Sequence, residues 1–209
     1  MCFSSELTQR LRLDIHKPED VEAVFLISND PRTWTHLPKA RSVDPRPTEE
    51  MLKMVDRSWQ EYGLGSWIVR LRHETALPGL EPEAIPGMEP GMVIGSGVNL
   101  FHAGKHGEFW NLGYRLHPDS WGHGLATELS IHAIYCAQEV RPDAPVVARV
   151  LSTNPASVAV AQKAGLSIIW EGKPSDATFK LLDGVPANRI ILADRMPSAG
   201  TLKWLVSLG

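Results

Sequence analysis

Apolar and polar residues alternate through Leu11-Arg12-Leu13-Asp14-Ile15, and this two-residue period predicts a half-buried strand over 7–15. At Pro18 the period changes. Glu19 and Asp20 suit a first helical turn, and Val21, Val24 and Phe25 follow at helical spacing before Asn29-Asp30-Pro31 ends the element. A second helix is predicted from Thr48, with Met51, Val55, Trp59 and Tyr62 on one face and Gly63 as its stop. Residues 67–71 and 92–100 read as paired strands. Between them lie Pro78-Gly79-Leu80-Glu81-Pro82 and Pro86-Gly87-Met88-Glu89-Pro90, which predict an extended surface loop inserted at about 76–91. A strand over 109–116 and a glycine turn lead into a helix over 124–140, whose Leu125, Leu129, Ala133, Cys136, Ala137 and Val140 form an apolar face. The β-branched run 146–151 is a buried strand, Asn154-Pro155 starts a helix and Gly165 stops it, and 166–170 and 189–192 are further strands. In the tail at about 196–209, Leu202, Trp204 and Leu205 require a surface to cover them. This order predicts an α/β (α+β) chain with a mixed sheet flanked by helices, as a single domain over 1–209.

Composition narrows the chemistry. The 209 residues are 43% hydrophobic and 22% charged, which suits one globular domain with a sizeable core. A net charge of -3, with Lys and Arg scattered, gives no basic field of the kind nucleic acid requires, so no nucleic-acid partner is expected. Cys2 and Cys136 build neither a disulfide framework nor a zinc site, and no His pair has metal-ligand spacing beside a carboxylate, so no metal is expected. The N-terminus has no signal-like apolar region, and no window approaches ~18 uninterrupted apolar residues. A cytoplasmic protein without a membrane partner is therefore expected, with room left for a homodimer.

The most informative stretch is Trp121-Gly122-His123-Gly124-Leu125-Ala126-Thr127-Glu128, because it follows a strand and opens a helix. In a strand–glycine turn–helix arrangement, successive backbone N–H groups converge on one spot at the positive end of a helix, which suits a phosphate or pyrophosphate. Gly122 and Gly124 would let the backbone approach the anion. Leu125, Ala126 and Thr127 would add first-turn amides, and Thr127 a hydroxyl.

These residues resemble the phosphate-binding turn of the GCN5-related N-acetyltransferase (GNAT) superfamily, in its ribosomal-protein alanine acetyltransferase (RimJ/RimL-like) branch, where Trp stands first. Further fragments agree in order: Leu7-Thr-Gln-Arg-Leu-Arg-Leu, Asn111-Leu-Gly-Tyr-Arg-Leu, Asn154-Pro-Ala-Ser157 and Gln162-Lys163-Ala164-Gly165-Leu166, so the resemblance spans about 7–195. It implies a mostly antiparallel sheet with one splayed parallel strand pair, and acetyl-CoA as the donor substrate. It places Trp121, Gly122, His123, Gly124, Leu125, Ala126 and Thr127 around the pyrophosphate. Tyr114, Arg115 and Leu116 would lie along the pantetheine arm, and Asn154 would bond that arm. The implied function is transfer of acetyl to a primary amine, on a protein N-terminus or a small molecule, by direct attack in a ternary complex.

The catalytic positions depart from the family pattern. Asn111 stands where many members carry Glu, and Ala161 where many carry a Tyr general acid. Ser157 is then the candidate donor to the departing thiolate, and Glu108, His106, His117 and His123 are the candidate bases, Glu108 first. Two other functions stay open: a coenzyme A-binding module that has lost catalysis, and a dinucleotide-binding enzyme. The second is disfavoured, since the turn lacks a third glycine and no acidic residue ends a strand about 20 positions on.

Overall fold

A computed structural model describes residues 3–41, 43–72, 85 and 87–208. The chain runs β1 (Ser5–Leu7), β2 (Leu11–Asp14), α1 (Asp20–Asn29), α2 (Arg46–Tyr62), β3 (Trp67–Leu71), β4 (Val93–Gly104) and β5 (Gly107–Leu116). It continues with α3 (Leu125–Val140), β6 (Val146–Leu151), α4 (Pro155–Lys163), β7 (Ser167–Gly172), α5 (Asp176–Leu181), β8 (Arg189–Ala193) and α6 (Ala199–Ser207). Among the described residues, eight strands form one sheet in the order β1-β2-β3-β4-β5-β6-β8-β7. Every neighbouring pair is antiparallel except β5 and β6.

That exception positions the site. Strands β5 and β6 are in register only at Trp110↔Val146 and Asn111↔Val147, whereas β5 stays paired with β4 through Leu116. Beyond Asn111 the edge of β5 facing β6 therefore has no strand to bond. The main core holds the two strands together at the closed end. Trp110, Leu112, Val146, Ala148 and Val150 pack with Leu125, Leu129, Ala133 and Ala137 of α3 and Ala161 of α4. A second, smaller cluster covers the opposite face, where Phe109, Val147, Ile191 and Ala193 pack against Leu205 of α6. The tail that asked for a cover is thus a helix, capped by Ser198 accepting from the Thr201 amide at 3.1 Å.

Three differences from the sequence expectations have physical causes. The strand expected over 7–15 is a hairpin, β1 pairing with β2, because the intervening turn is fixed by bonds of the Thr8 hydroxyl and the Arg10 amide to Glu128 of α3. Helix α5 was not expected; Ser175 starts it by accepting from the Thr178 amide. Most of the loop at 76–91 lies outside the described residues, but Ile85 and Met88 are buried in the main core and so are not surface positions. Among the described residues no helix is long and apolar enough to cross a membrane.

Candidate functional site

Trp121–Gly124 turns the chain from β5 into α3, with φ of 85° at Gly122 and 76° at Gly124. This left-handed region favours glycine for its backbone alone. A Cβ on Gly122 would meet nothing within 4 Å, and one on Gly124 only the Arg10 guanidinium at 3.5 Å. Among the described residues, the amides of Gly122, His123, Gly124, Leu125 and Ala126 have no acceptor, while those of Thr127 and Glu128 both reach the Gly124 carbonyl at 3.1 Å. Four of these amides, on Gly122, Gly124, Leu125 and Ala126, belong to residues that line an open cleft, and at the positive end of the 16-residue α3 they form a cradle suited to an anion. The turn is held from behind. Arg10 Nη1 donates to the His123 carbonyl at 2.7 Å, and Arg10 Nε donates to Glu128 Oε2 at 2.8 Å.

From the cradle a cleft of about 530 Å³ runs past Tyr114, Arg115 and Leu116 at the free end of β5 to Asn154 and Ser157 at the start of α4. A deeper cavity of about 190 Å³ continues it into the gap between β5 and β6, past Leu112, Gly113, Ala148, Val150 and Ala161. His36, Tyr114, Asn154 and Ser157 line both. Neither is lined by an Asp or Glu among the described residues.

The outer wall is residues 31–36. Asp30 caps this turn by accepting from the Arg32 amide, Trp34 Nε1 donates to the Ser28 carbonyl, and Thr153 Oγ1 donates to the His36 carbonyl at 3.0 Å across the cleft mouth. Arg115 Nη1 donates to the Thr33 carbonyl at 2.6 Å, and its guanidinium lies 3.7 Å above the Trp34 ring. Burial lowers the Arg115 pKa to about 10, so it stays charged at neutral pH. Among the described residues no carboxylate pairs with it, and its charge faces the cleft.

Three groups in the gap can move protons. Burial lowers the pKa of His36 from its ordinary 6.5, and the charges of Arg115 and Arg189 lower it further. The imidazole is therefore neutral at pH 7. Among the described residues its ring nitrogens have no hydrogen-bond partner. Tyr114 is held protonated by burial, with Ser157 beside its phenol as a hydrogen-bonding group. Asn154 caps α4, its Oδ1 accepting from the Ser157 amide at 3.1 Å. It thus sets the position of Ser157 while facing the cleft.

Of the residues singled out in the sequence, Tyr114, Arg115, Leu116, Trp121, Gly122, Gly124, Leu125, Ala126, Thr127, Asn154 and Ser157 all line the cleft. Trp121 is half exposed at the rim, its indole N–H donating to the Leu116 carbonyl at 3.1 Å. His123 does not line the cleft, and its carbonyl is turned back toward Arg10. Glu108 is not brought in either. It is exposed at the β4–β5 hairpin end, 3.8 Å from Arg141. Tyr114 lies six positions further along the strand, about 20 Å away at ~3.3 Å per residue. His106 lies at the same hairpin end against Trp204, and His117 Nδ1 accepts from the Asp119 amide in the turn after β5. Trp110 is fully buried in the core, while Trp34 supports Arg115. Sequence reading missed His36 and Arg10 as site residues. The only signal for His36 was the capped Asp30-Pro31 turn that begins its segment.

The chain matches the family model described as the acetyltransferase (GNAT) domain over residues 10–167. No functionally curated protein sequence matches it significantly. Among solved structures, a GNAT-family acetyltransferase from Bordetella pertussis aligns with a TM-score of 0.66 at 16% identity, covering 91% of this chain and 99% of its own. RimL, a ribosomal-protein α-N-acetyltransferase solved with coenzyme A, aligns with a TM-score of 0.63 at 16% identity, covering 93% of this chain and 98% of its own. The microcin self-immunity acetyltransferase MccE, solved with acetyl-CoA and AMP, aligns with a TM-score of 0.64 at 12% identity, covering 90% of this chain and 94% of its own. These likenesses establish the fold, and the match over most of the sequence establishes that the chain belongs to the GNAT acetyltransferase family.

Proposed function

We propose that the protein transfers an acetyl group from acetyl-CoA to a primary amine by direct attack in a ternary complex. The observation that carries this reading is the continuous cleft from the free amides of residues 122–126 into the β5–β6 gap. The donor set fits coenzyme A. The amide cradle suits the pyrophosphate, the unpaired edge of β5 over Tyr114, Arg115 and Leu116 suits the amides of the pantetheine arm, and Asn154 lies where that arm enters the gap. The thioester then sits between Tyr114 and the start of α4. RimL and MccE, which share the fold, were solved with coenzyme A and acetyl-CoA.

In this proposal the amine nitrogen forms a bond to the thioester carbonyl carbon, and the proton it sheds passes to the neutral His36. The carbon–sulfur bond breaks, and the departing thiolate takes a proton from the Tyr114–Ser157 pair. Ser157 is retained as a donor residue, with Tyr114 supplying the acidic hydroxyl that Ala161 lacks. His36 replaces Glu108 as the base, because a base must lie within hydrogen-bond reach of the proton it takes. The test follows free thiol and acetylated amine together, with acetyl-CoA and a panel of amines. The expected result is thiol release that depends on the amine and equals product formed. Saturable donor binding without amine-dependent thiol release would contradict acetyl transfer and leave a coenzyme A-binding module.

A further inference from the structure

The gap between β5 and β6 opens on both faces of the sheet. Along β6, Ala148 and Val150 point into the main core beneath α3 and α4. Side chains alternate along a strand, so Arg149 between them emerges on the other face, and so does Arg189, which pairs with Leu151 while its neighbour Ile190 joins the main core. There the two arginines and His36 line the deep cavity. The donor cleft reaches this cavity from the side of the glycine turn, so the arginine face is the one left for the second substrate.

The side chain of Arg189 is arranged for a missing partner. Its Nε is buried without a hydrogen bond, and its terminal nitrogens reach only the Arg149 carbonyl and Thr178 Oγ1, each at 3.4 Å. Among the described residues no carboxylate pairs with it. A guanidinium held partly out of water without a counter-ion lowers stability unless a ligand supplies the anion. Its planar fork matches a carboxylate by two parallel hydrogen bonds. The second cation, Arg149, donates to the Leu208 carbonyl at 2.7 Å and adds to the positive field.

We infer that the acceptor is a small amine carrying its own free carboxylate, an amino-acid-like molecule whose carboxylate pairs with Arg189 while its amine faces His36 in the gap. This rests on the acetyl-transfer reading above. One observation favours a free amino acid over a protein N-terminus. A protein's first residue has lost its carboxylate to the peptide bond, which would leave Arg189 unpaired.

The test compares free amino acids, their amides and short peptides as acceptors, and titrates N-acetyl amino acids and N-acetyl amino-acid amides into the coenzyme A-loaded protein. Carboxylates should exceed their amides in kcat/KM by at least about tenfold, as expected for a charge-assisted hydrogen-bonded pair. In Arg189→Gln this preference should fall toward one, with acetyl-CoA binding as the check on folding, and Arg189→Lys should retain part of it. Amides or peptides turned over as well as the free acids would overturn the inference and leave acetyl transfer standing. If no amine is acetylated, N-acetyl carboxylates that bind the coenzyme A complex and lose affinity in Arg189→Gln would keep the anionic site and end the transfer reading. Absence of binding by any N-acetyl carboxylate would end the inference.

Discussion

The two ends of the cleft are built by different means. The donor end of the proposed reaction is made of one short run of backbone: the free amides of four residues that line the cleft, two of them left-handed glycines and two in the first turn of α3, all within residues 122–126. The acceptor end is made of side chains from distant segments: His36 from the outer wall, Arg149 and Arg189 from neighbouring strands β6 and β8, and Tyr114 from β5. A backbone cradle depends on local conformation and tolerates changes in side chains that keep that conformation. A site assembled from side chains depends on each identity, so the two ends should answer mutation differently.

The largest effect is expected at the acceptor end. His36→Gln should lower kcat/KM by ~10²–10⁴, the usual contribution of a positioned base, while affinity for acetyl-CoA changes far less. The pH profile supplies the sign. His36 accepts a proton only when neutral, so wild-type kcat/KM should rise with pH through a midpoint below the ordinary 6.5, and His36→Gln should lose that limb. A limb that persists in the variant would place the base elsewhere.

The next largest effect is expected at the donor end. Gly124→Glu puts a side chain at φ 76° and a negative charge beside the cradle. Left-handed strain of ~1–2 kcal/mol together with charge repulsion predicts a loss of about 100-fold in acetyl-CoA affinity by calorimetry. Unchanged affinity would mean that the turn does not hold the donor. Arg10→Ala keeps the glycines but removes the support behind the His123 carbonyl. Because this side chain is partly exposed, a loss of only about three- to tenfold is expected. Such a graded response would show that Arg10 positions the turn without touching the ligand.

The smallest effect separates the cleft from the hairpin end of β5. Glu108 is exposed there, and Glu108→Gln should leave the rate within about twofold, as surface substitutions usually do. A large fall in turnover would return Glu108 to the mechanism.

The contrast also explains what the sequence revealed. Strand β3 and strand β6 were legible to the residue, because their apolar runs are bounded by turn residues and largely buried. The cradle was legible because its chemistry lies in contiguous residues whose order, strand then glycines then helix, is itself the mechanism of anion binding. Asn154 and Ser157 could be read for the same reason, as a cap and the amide it receives. His36 was not legible. Its place in the cleft comes from the Thr153 bond that lays residues 31–36 across the cleft mouth, and its lowered pKa in part from two arginines more than 70 positions away. Glu108 lies away from the cleft; strand periodicity fixes the face a residue shares but not which end of the strand opens. That end is set by where β5 leaves β6, after Asn111. The hairpin at 8–10 was hidden likewise, since the alternation of Leu11 and Leu13 continues a strand pattern that Glu128 interrupts from another element.

If the free amides of Gly122, Gly124, Leu125 and Ala126 hold the donor and direct it into the β5–β6 gap, backbone amide NMR during titration with acetyl-CoA should show saturable shifts that are largest at these four residues and extend to Tyr114 and Arg115. Saturable shifts confined to other parts of the sheet, or none on these amides at full occupancy, would contradict this placement of the donor.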